Sequence, residues 1–479
     1  MNSDKKTVLL LYPKTGINPL RPQPPLSLLA LGPAIRGAGL APVIIDQRVE
    51  PDYAGKVRAL LPQSLFVGIT SMTGEQLRYA IDLIALVKEL SPATPVVFGG
   101  THATLLPEQA IEAEGVDIVV AGEGEGAIAE IAACLQGKGE LDHVRGIYFK
   151  RGNQVVSTPA RDLPEIDNLP APAWDLIDTG TYTDFTIQAG RGCPYRCTYC
   201  YNMKINGGRW RARSPEAIVE EMKYLYFAKG VTDFFFVDDN FFSRFDRVQA
   251  ICDLIVRSGL RIGWKATCRA DCFKRFTPPF IDLLKRSGVA QLFVGGESGS
   301  PAILERISKK ITVEDIVSTV EVSRDHGLPT SIAFMTGFPF ETDRDRELTF
   351  RLMDRLRAIH PAISLDGVNI YTPYPGNGMY EESKQYGLVE PASLSEWSTY
   401  VFNLGNLPWF TRAQSRMLEN VSFITRFCFW QEAIRGRFLK GWYYPFYVVL
   451  RLSALARWKL RAFHAAWEWD VFRLLRRNL

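Results

Sequence analysis

The apolar positions of the first 145 residues form short continuous runs separated by stretches of helical period. "TVLLLYP", "APVIID", "LFVGIT", "PVVFGG" and "VDIVVAGEGE" read as strands, and "PPLSLLALGPAIRGAG" and "GEQLRYAIDLIALVKELSP" as helices. Short apolar runs that end in glycine or proline suit fully buried strands, whereas apolar residues three and four apart suit one face of a helix. Strands apolar on both faces, alternating with helices, predict a parallel, doubly wound (Rossmann-like) α/β sheet over residues 1–145. Ligands on such sheets sit at the carboxyl ends of the strands. Those ends carry Ser71, Met72, Thr73 and Gly74, then Gly99, Gly100 and Thr101, then Gly122, Glu123, Gly124 and Glu125. No G-x-G-x-x-G follows the first strand, so the dinucleotide fingerprint is absent. Any one of these glycines could serve a tight turn alone. Three such loops on one edge predict a broad floor for a large, flat ligand.

Residues 146–180 hold four prolines and little periodicity, and read as a linker. A second series covers residues 181–385. Its strands are "FTIQAGRG", "DFFFVDDN", "GWKATCRA", "AQLFVGGES", "TSIAFMTGFP" and "DGVNIYTPYPG", with helices such as "SPEAIVEEMKYLYFAKG" and "TVEDIVSTVEVSRDHG" between them. About six units predict a partial (β/α)6 barrel with its reactive edge at the strands' carboxyl ends. From 386 to 479 the pattern turns helical, aromatic and rich in arginine.

Composition narrows the class. With 479 residues, 47% hydrophobic and 23% charged, the chain is globular with room for two or three domains. No run of about 18 uncharged apolar residues predicts a spanning helix. The opening apolar run is too short for a signal peptide, so the eight cysteines are expected in a reducing, cytoplasmic setting, where clustered cysteines more often bind metal than form disulfides. The net charge of +4 is uneven: residues 411–479 hold 13 Lys/Arg and 4 Asp/Glu, a balance of +9, while the first 410 balance to −5. That argues against a nucleic-acid enzyme with a basic active face and for a local surface role of the C-terminus.

The stretch "RGCPYRCTYCYN" sets Cys193, Cys197 and Cys200 on a loop just after the first barrel strand. A structural zinc would need a fourth Cys or His close by, and none follows in the loop. Thiolates suit iron–sulfur clusters, and three of them leave one iron of a [4Fe–4S] cluster open for catalysis. Cys268 and Cys272, four apart in an expected strand, read as two buried packing residues on one face.

C-x-x-x-C-x-aromatic-C after the first strand of a β/α barrel resembles the radical S-adenosylmethionine (SAM) superfamily. The resemblance implies that SAM is the fourth ligand of the open iron, that one electron cleaves it to a deoxyadenosyl radical, and that an electron donor such as flavodoxin or ferredoxin supplies that electron. It assigns Glu297 and Ser298 of "GGESGS", Arg269 of "CRAD", Asp238 and Tyr199 to the SAM site. Asp238 and Asp239 could instead cap the next helix, and Arg269 could be a barrel salt bridge. The doubly wound domain in front resembles the cobalamin-binding subclass, through "ITSMTGEQL", "VVFGGTHATLLPEQ" and "DIVVAGEGE". The similarity extends over about residues 5–385, to the branch containing the anaerobic protoporphyrin ester cyclase and several methylases. It implies cobalamin at Ser71, Thr73, Gly99, Gly100, Gly122 and Glu123. The D-x-H-x-x-G cobalt-ligating motif is absent, since Gln47, Arg48 and Val49 follow Asp46; His102 is expected to pack or hydrogen-bond rather than ligate.

The implied activity is methylation of an unactivated carbon of a small, apolar or natural-product-type substrate, including lipids and tetrapyrroles. A cyclase or rearrangement without methyl transfer is the runner-up, and a non-catalytic cobalamin or cluster sensor is the reading from another class. In the tail, Trp442, Tyr443, Tyr444, Phe446, Tyr447, Trp458, Trp467 and Trp469 mix with Arg451, Arg457, Lys459, Arg461, Arg473, Arg476 and Arg477. Helices packed on the barrel, peripheral contact with the inner membrane surface, and nucleic-acid binding all fit this composition, the last least well.

Overall fold

The computed structural model describes residues 6–16, 22–401, 407–429, 444–464 and 467. The N-terminal sheet contains β1 (Thr7–Tyr12), β2 (Ala41–Asp46), β3 (Ser64–Ser71), β4 (Val96–Gly100), β5 (Ile118–Val120), β6 (Ile147–Arg151) and β7 (Gln154–Ser157), in the order β2-β1-β3-β4-β5-β6-β7. The first five are parallel. They are apolar on both faces because helices cover both, as the sequence pattern requires. Helix Gln76–Leu90 packs its Leu77, Ala80, Leu83, Ile84 and Val87 on one side; helices Leu26–Gly37 and Gly124–Leu135 cover the other.

The expected linker needs correction at its start. β6 and β7 are an antiparallel hairpin on the sheet's edge, so the N-terminal domain runs to about residue 157. The hairpin escaped notice because β7 is exposed along most of its length and has no apolar run; the turn is made by Gly152, whose φ of +58° suits glycine.

β8 (Phe185–Ile187) opens the second domain. A two-residue antiparallel pair follows, β9 (Gly190–Arg191) with β10 (Arg211–Ala212), which clamps the base of the cysteine loop. The barrel continues through β11 (Asp233–Phe236), β12 (Gly263–Arg269), β13 (Val289–Glu297), β14 (Thr330–Thr336) and β15 (Ser364–Ile370). All six main strands are parallel, in the order β15-β14-β13-β12-β11-β8, an open (β/α)6 barrel as expected. Three of its helices start on side-chain caps of this kind: Ser214 accepts from the Ala217 N–H, and Thr312 and Thr342 form capping boxes with Asp315 and Asp345.

Among the described residues no strand follows Ile370. The chain first returns to the N-terminal domain, where Leu394 and Trp397 join the apolar cluster of helix Gln76–Leu90, and Gln109 donates to the Pro391 carbonyl at 2.7 Å. Helix Arg412–Phe429 then packs against β15, and helix Tyr444–Leu460 packs on both it and helix Asp343–Ile359 through Trp458.

Candidate functional site

The carboxyl ends of the two sheets face one cavity of about 440 Å³. Gly99, Gly100, Gly122, Glu123 and Glu125 form its N-terminal wall; Arg191, Gly192, Tyr201 and Asp239 form the wall beside the cysteine loop. A Cβ on Gly122 would meet nothing within 4 Å, and one on Gly99 only the Val120 Cβ at 4.0 Å. Both hold open space that side chains would fill; Gly122 also sits at a φ of +109°, which favours glycine in any case. Gly100, at a φ of +97°, has no such space, since a Cβ would lie 2.4 Å from the Ser71 carbonyl oxygen.

The other expected contacts on this edge have protein partners of their own. Ser71 is fully buried and donates to the Gly99 carbonyl at 2.9 Å. Thr73 pairs with His102 Nδ1 at 2.9 Å. His102 lies buried edge-on to Trp397, and burial lowers its pKa to about 4, which keeps the ring neutral. Glu123 lines the cavity, but its carboxylate is held by Arg191 at 2.9 Å and by Arg211 at 3.1 Å. Arg191 and Arg211 were assigned no role from sequence, although Arg191 opens the cysteine motif; nothing in a linear pattern shows that the other domain supplies their partners.

The cysteine loop is anchored along its length. Gly192 donates to Asp239 at 3.0 Å, Asn202 donates to the Cys193 carbonyl at 3.0 Å, and Thr198 N–H donates to the Ile307 carbonyl at 3.0 Å. A Cβ on Gly192 would overlap the Arg209 carbonyl. Cys193, Cys197 and Cys200 are free and half-buried. Burial raises Cys193 and pushes Cys200 up to about 11, so both stay protonated at neutral pH until a metal displaces the proton. Among the described residues no three His, Cys, Asp or Glu side chains converge on one ion position. In a cubane cluster each thiolate holds a different iron, so the thiols need not converge; the donor set fits a cluster rather than a single ion.

Beside this loop Tyr199 donates to Glu297 Oε1 at 2.9 Å, and Lys309 Nζ lies 2.6 Å from the same oxygen and 3.2 Å from the Tyr199 hydroxyl. Glu297 ends β13 at a φ of +59°, uncommon for a residue with a Cβ. Lys309 carries no sequence signal, because it sits between helices beyond any periodic run. Ser298 points the other way, to Thr349 at 3.1 Å. Arg269 stacks 3.6 Å over the Tyr195 ring and donates to Asp271 and to the Lys309 carbonyl. Asp238 caps no helix: its Oδ1 accepts the Ala189 N–H at 2.8 Å, Oδ2 has no partner, and burial raises its pKa to about 7.

A second cavity of about 200 Å³ lies within the barrel, lined by Asp239, Asn240, Thr267, Arg269, Lys309 and Asp366 among others. Asn240 is 3% exposed, yet neither end of its amide has a partner. An orphaned buried amide on a cavity wall fits a polar ligand such as SAM. Cys268 and Cys272 are both buried, but not on one strand: β12 stops at Arg269, and Cys272 lies in the helical turn after it.

The B12 binding domain model matches residues 16–132, and the radical SAM superfamily model matches residues 187–353. An uncharacterised methyltransferase of Pyrococcus horikoshii is 30% identical over 412 residues, 84% of this chain and 87% of that one. The chain belongs to the radical SAM superfamily. This radical SAM enzyme carries its B12 binding domain in front of the barrel, and the two matches fall on the two sheets that enclose the larger cavity. It is also similar to the anaerobic magnesium-protoporphyrin IX monomethyl ester cyclase of Synechocystis, at 28% identity over 67% of this chain and 66% of the cyclase. In fold it matches the radical SAM methyltransferase TsrM of Kitasatospora setae, solved with cobalamin and a [4Fe–4S] cluster, with a TM-score of 0.66, 21% identity, and coverage of 82% and 81% of the two chains.

Proposed function

We propose that this enzyme is a cobalamin-dependent radical SAM methyltransferase acting on an unactivated carbon of a small, largely apolar substrate. The observation that carries the reading is the single cavity running from Gly99 and Gly122 to Gly192 and Asp239, because it joins the glycine edge of one sheet to the base of the cysteine loop on the other.

Cys193, Cys197 and Cys200 would hold three irons of the cluster, the barrel cavity beside Glu297, Arg269 and Asn240 would take SAM, and the glycine edge would take cobalamin. When bound, these groups supply radical generation from SAM and a transferable methyl group. The protein's part is to orient and to exclude water. Asp239 fixes the loop through the Gly192 N–H, so the thiols are placed before metal arrives. Tyr199 and Lys309 fix Glu297 in one rotamer, which presents a fixed acceptor next to the cysteine loop. Arg191 ties that loop to Glu123 and Glu125, so buried ion pairs join the two cofactor edges.

In the same reading an electron donor of the flavodoxin or ferredoxin kind docks outside the cluster, and the enzyme works at the inner face of a membrane, held there through its basic C-terminal region. The described residues contain no helix long and apolar enough to cross a membrane.

The test is anaerobic reconstitution with iron, sulfide and cobalamin, followed by SAM and reductant. Formation of 5′-deoxyadenosine is expected, with a product one methylene heavier than its substrate. Similarity to a cyclase makes ring closure the second reading, and a product lighter by two hydrogens with no methyl gain would replace the first with it.

A further inference from the structure

Helix Tyr444–Leu460 shows an inverted pattern. A helix packed on a protein by one face ordinarily turns polar residues outward. Here the inner face is Leu450, Ala454 and Trp458, all buried against the helices below. The outer face is also apolar: Val449, Leu452 and Leu460 are 54%, 61% and 77% exposed, with Pro445 and Ala456 exposed between them. Their spacing of three and four places all five on one stripe. The cations avoid the stripe's centre. Arg457 lies on one flank and Lys459 at the edge, where long side chains can reach outward past an apolar surface, while Arg451 lies towards the inner face.

The inner face fixes the direction of the outer one. Trp458 donates to Asp354 at 2.6 Å, and Arg461 donates to Asp354 at 2.8 Å and to Glu347 at 3.3 Å. The helix therefore cannot roll to hide Val449 and Leu452 without breaking these bonds. At about 1.5 Å per residue its 17 residues extend about 25 Å, enough to lie along a surface.

We propose that this outer face seats in the headgroup region of an anionic bilayer, with the helix axis in the membrane plane. The proposal rests on the membrane reading of the C-terminal region given above and names the surface responsible. Charge complementarity selects the occupant: residues 411–479 balance to +9, whereas the first 410 balance to −5, so only this end of the molecule is drawn to anionic lipid. The apolar stripe then inserts shallowly, and the cations beside it, Arg457 and Lys459, meet phosphate.

The test uses the full chain with vesicles of phosphatidylcholine containing phosphatidylglycerol, at low salt, read by co-sedimentation. A variant carrying Val449→Gln, Leu452→Gln and Leu460→Gln keeps the charge and changes only exposed side chains; circular dichroism and iron content verify its fold. The parent is expected to pellet with anionic vesicles, to release as salt rises, and to bind at least tenfold more strongly than the variant. A parent left in the supernatant at low salt would remove the membrane reading altogether. A parent and variant that pellet equally would keep that reading and overturn this face as its contact. A parent that dimerises without lipid, while the variant stays monomeric, would assign the stripe to a second copy and overturn the proposal as well.

Discussion

Arg191 donates to Glu123 at 2.9 Å across the domain boundary, and to Glu125 at 2.5 Å. All three side chains are at most 16% exposed. The arginine is two residues before Cys193, and the glutamates follow Gly122 in the turn from β5 into helix Gly124–Leu135. This charged clamp joins the two domains beside the cavity, alongside the apolar contacts that Leu29 makes with the barrel's core and Trp397 with helix Gln76–Leu90.

Replacing Arg191 with Leu leaves two buried carboxylates short of a partner. Breaking a buried pair costs about 3–5 kcal/mol, and Arg211 still holds Glu123, so the lower end is expected. Urea unfolding should show the loss, with the N-terminal domain and the barrel melting in two steps instead of one. Glu123→Gln, which keeps a hydrogen-bond acceptor, should cost about 1 kcal/mol. Equal effects of the two changes would mean that the clamp is not what couples the domains.

Changing Cys193, Cys197 and Cys200 together to Ala should remove the cluster and leave the barrel folded, because the loop is anchored through backbone groups and through Asp239, Asn202 and Ile307. Iron analysis after reconstitution is expected to fall from about four per chain to none. Iron retained at the parent level would place the cluster elsewhere.

Gly99→Leu places its Cβ at the cavity wall with nothing nearer than the Val120 Cβ at 4.0 Å, so no atom has to shift to admit it. It should weaken cobalamin binding at least tenfold in a spectral titration while thermal stability and iron content stay at the parent values. Gly100→Ala is the contrast: its Cβ collides with the Ser71 backbone, so it should destabilise the fold before it affects any ligand. A Gly99→Leu protein that binds cobalamin like the parent would move the site off this edge.

How much of this was legible in the chain follows from what kind of signal each part leaves. Buried parallel strands leave uninterrupted apolar runs, so both sheets and their glycine-rich carboxyl ends could be read directly. The cysteine spacing is local and was equally plain. Ser71, Thr73 and Ser298 could not be resolved from sequence, because a hydroxyl at a strand end is as useful for tying down a neighbouring backbone, as Ser71 ties Gly99, as for holding a ligand. Arg191, Arg211 and Lys309 were silent for the opposite reason: their partners Glu123, Glu125 and Glu297 lie between 12 and 88 residues away and become neighbours only through the fold. The hairpin β6–β7 was lost because an exposed edge strand has no apolar run to reveal it.

Asp238 gives a pH signature. Its pKa is raised to about 7 by burial, with Arg247 only partly opposing. A raised carboxyl binds its proton more tightly in the folded than in the unfolded chain, so folding stability falls as pH rises from about 4 to about 7 and is flat above. His102 acts in the opposite sense: lowered to about 4, it adds stability as pH rises from about 4 to its unfolded value near 6.5. The effect of Asp238 must therefore be read as a difference. Asp238→Asn can keep the acceptor for Ala189 and carries no titration, so its stability relative to the parent should increase between about pH 4 and 7, by at most about 4 kcal/mol. A constant difference across that range would mean that Asp238 does not titrate there.

Glu297 is held in place against the preference of its own backbone. A side chain at a φ of +59° costs about 1–2 kcal/mol relative to an ordinary strand residue. The interactions that outweigh this are the buried ion pair to Lys309 at 2.6 Å and the hydroxyl of Tyr199 at 2.9 Å, with both charged side chains at most 10% exposed. Lys309→Met removes the cation and leaves the carboxylate buried with the tyrosine alone, so a loss of about 3 kcal/mol is expected, exceeding the strain. Glu297→Gln in the same chain removes the unpaired charge and should recover part of that loss, which gives the double-mutant cycle a coupling above about 1 kcal/mol. Both changes should leave iron content intact, since neither residue is a thiol ligand, while SAM binding measured by calorimetry on the reconstituted enzyme should weaken in each. Additive stability effects would show that Lys309 and Glu297 do not act together, and unchanged SAM affinity in both variants would remove this trio from the SAM site.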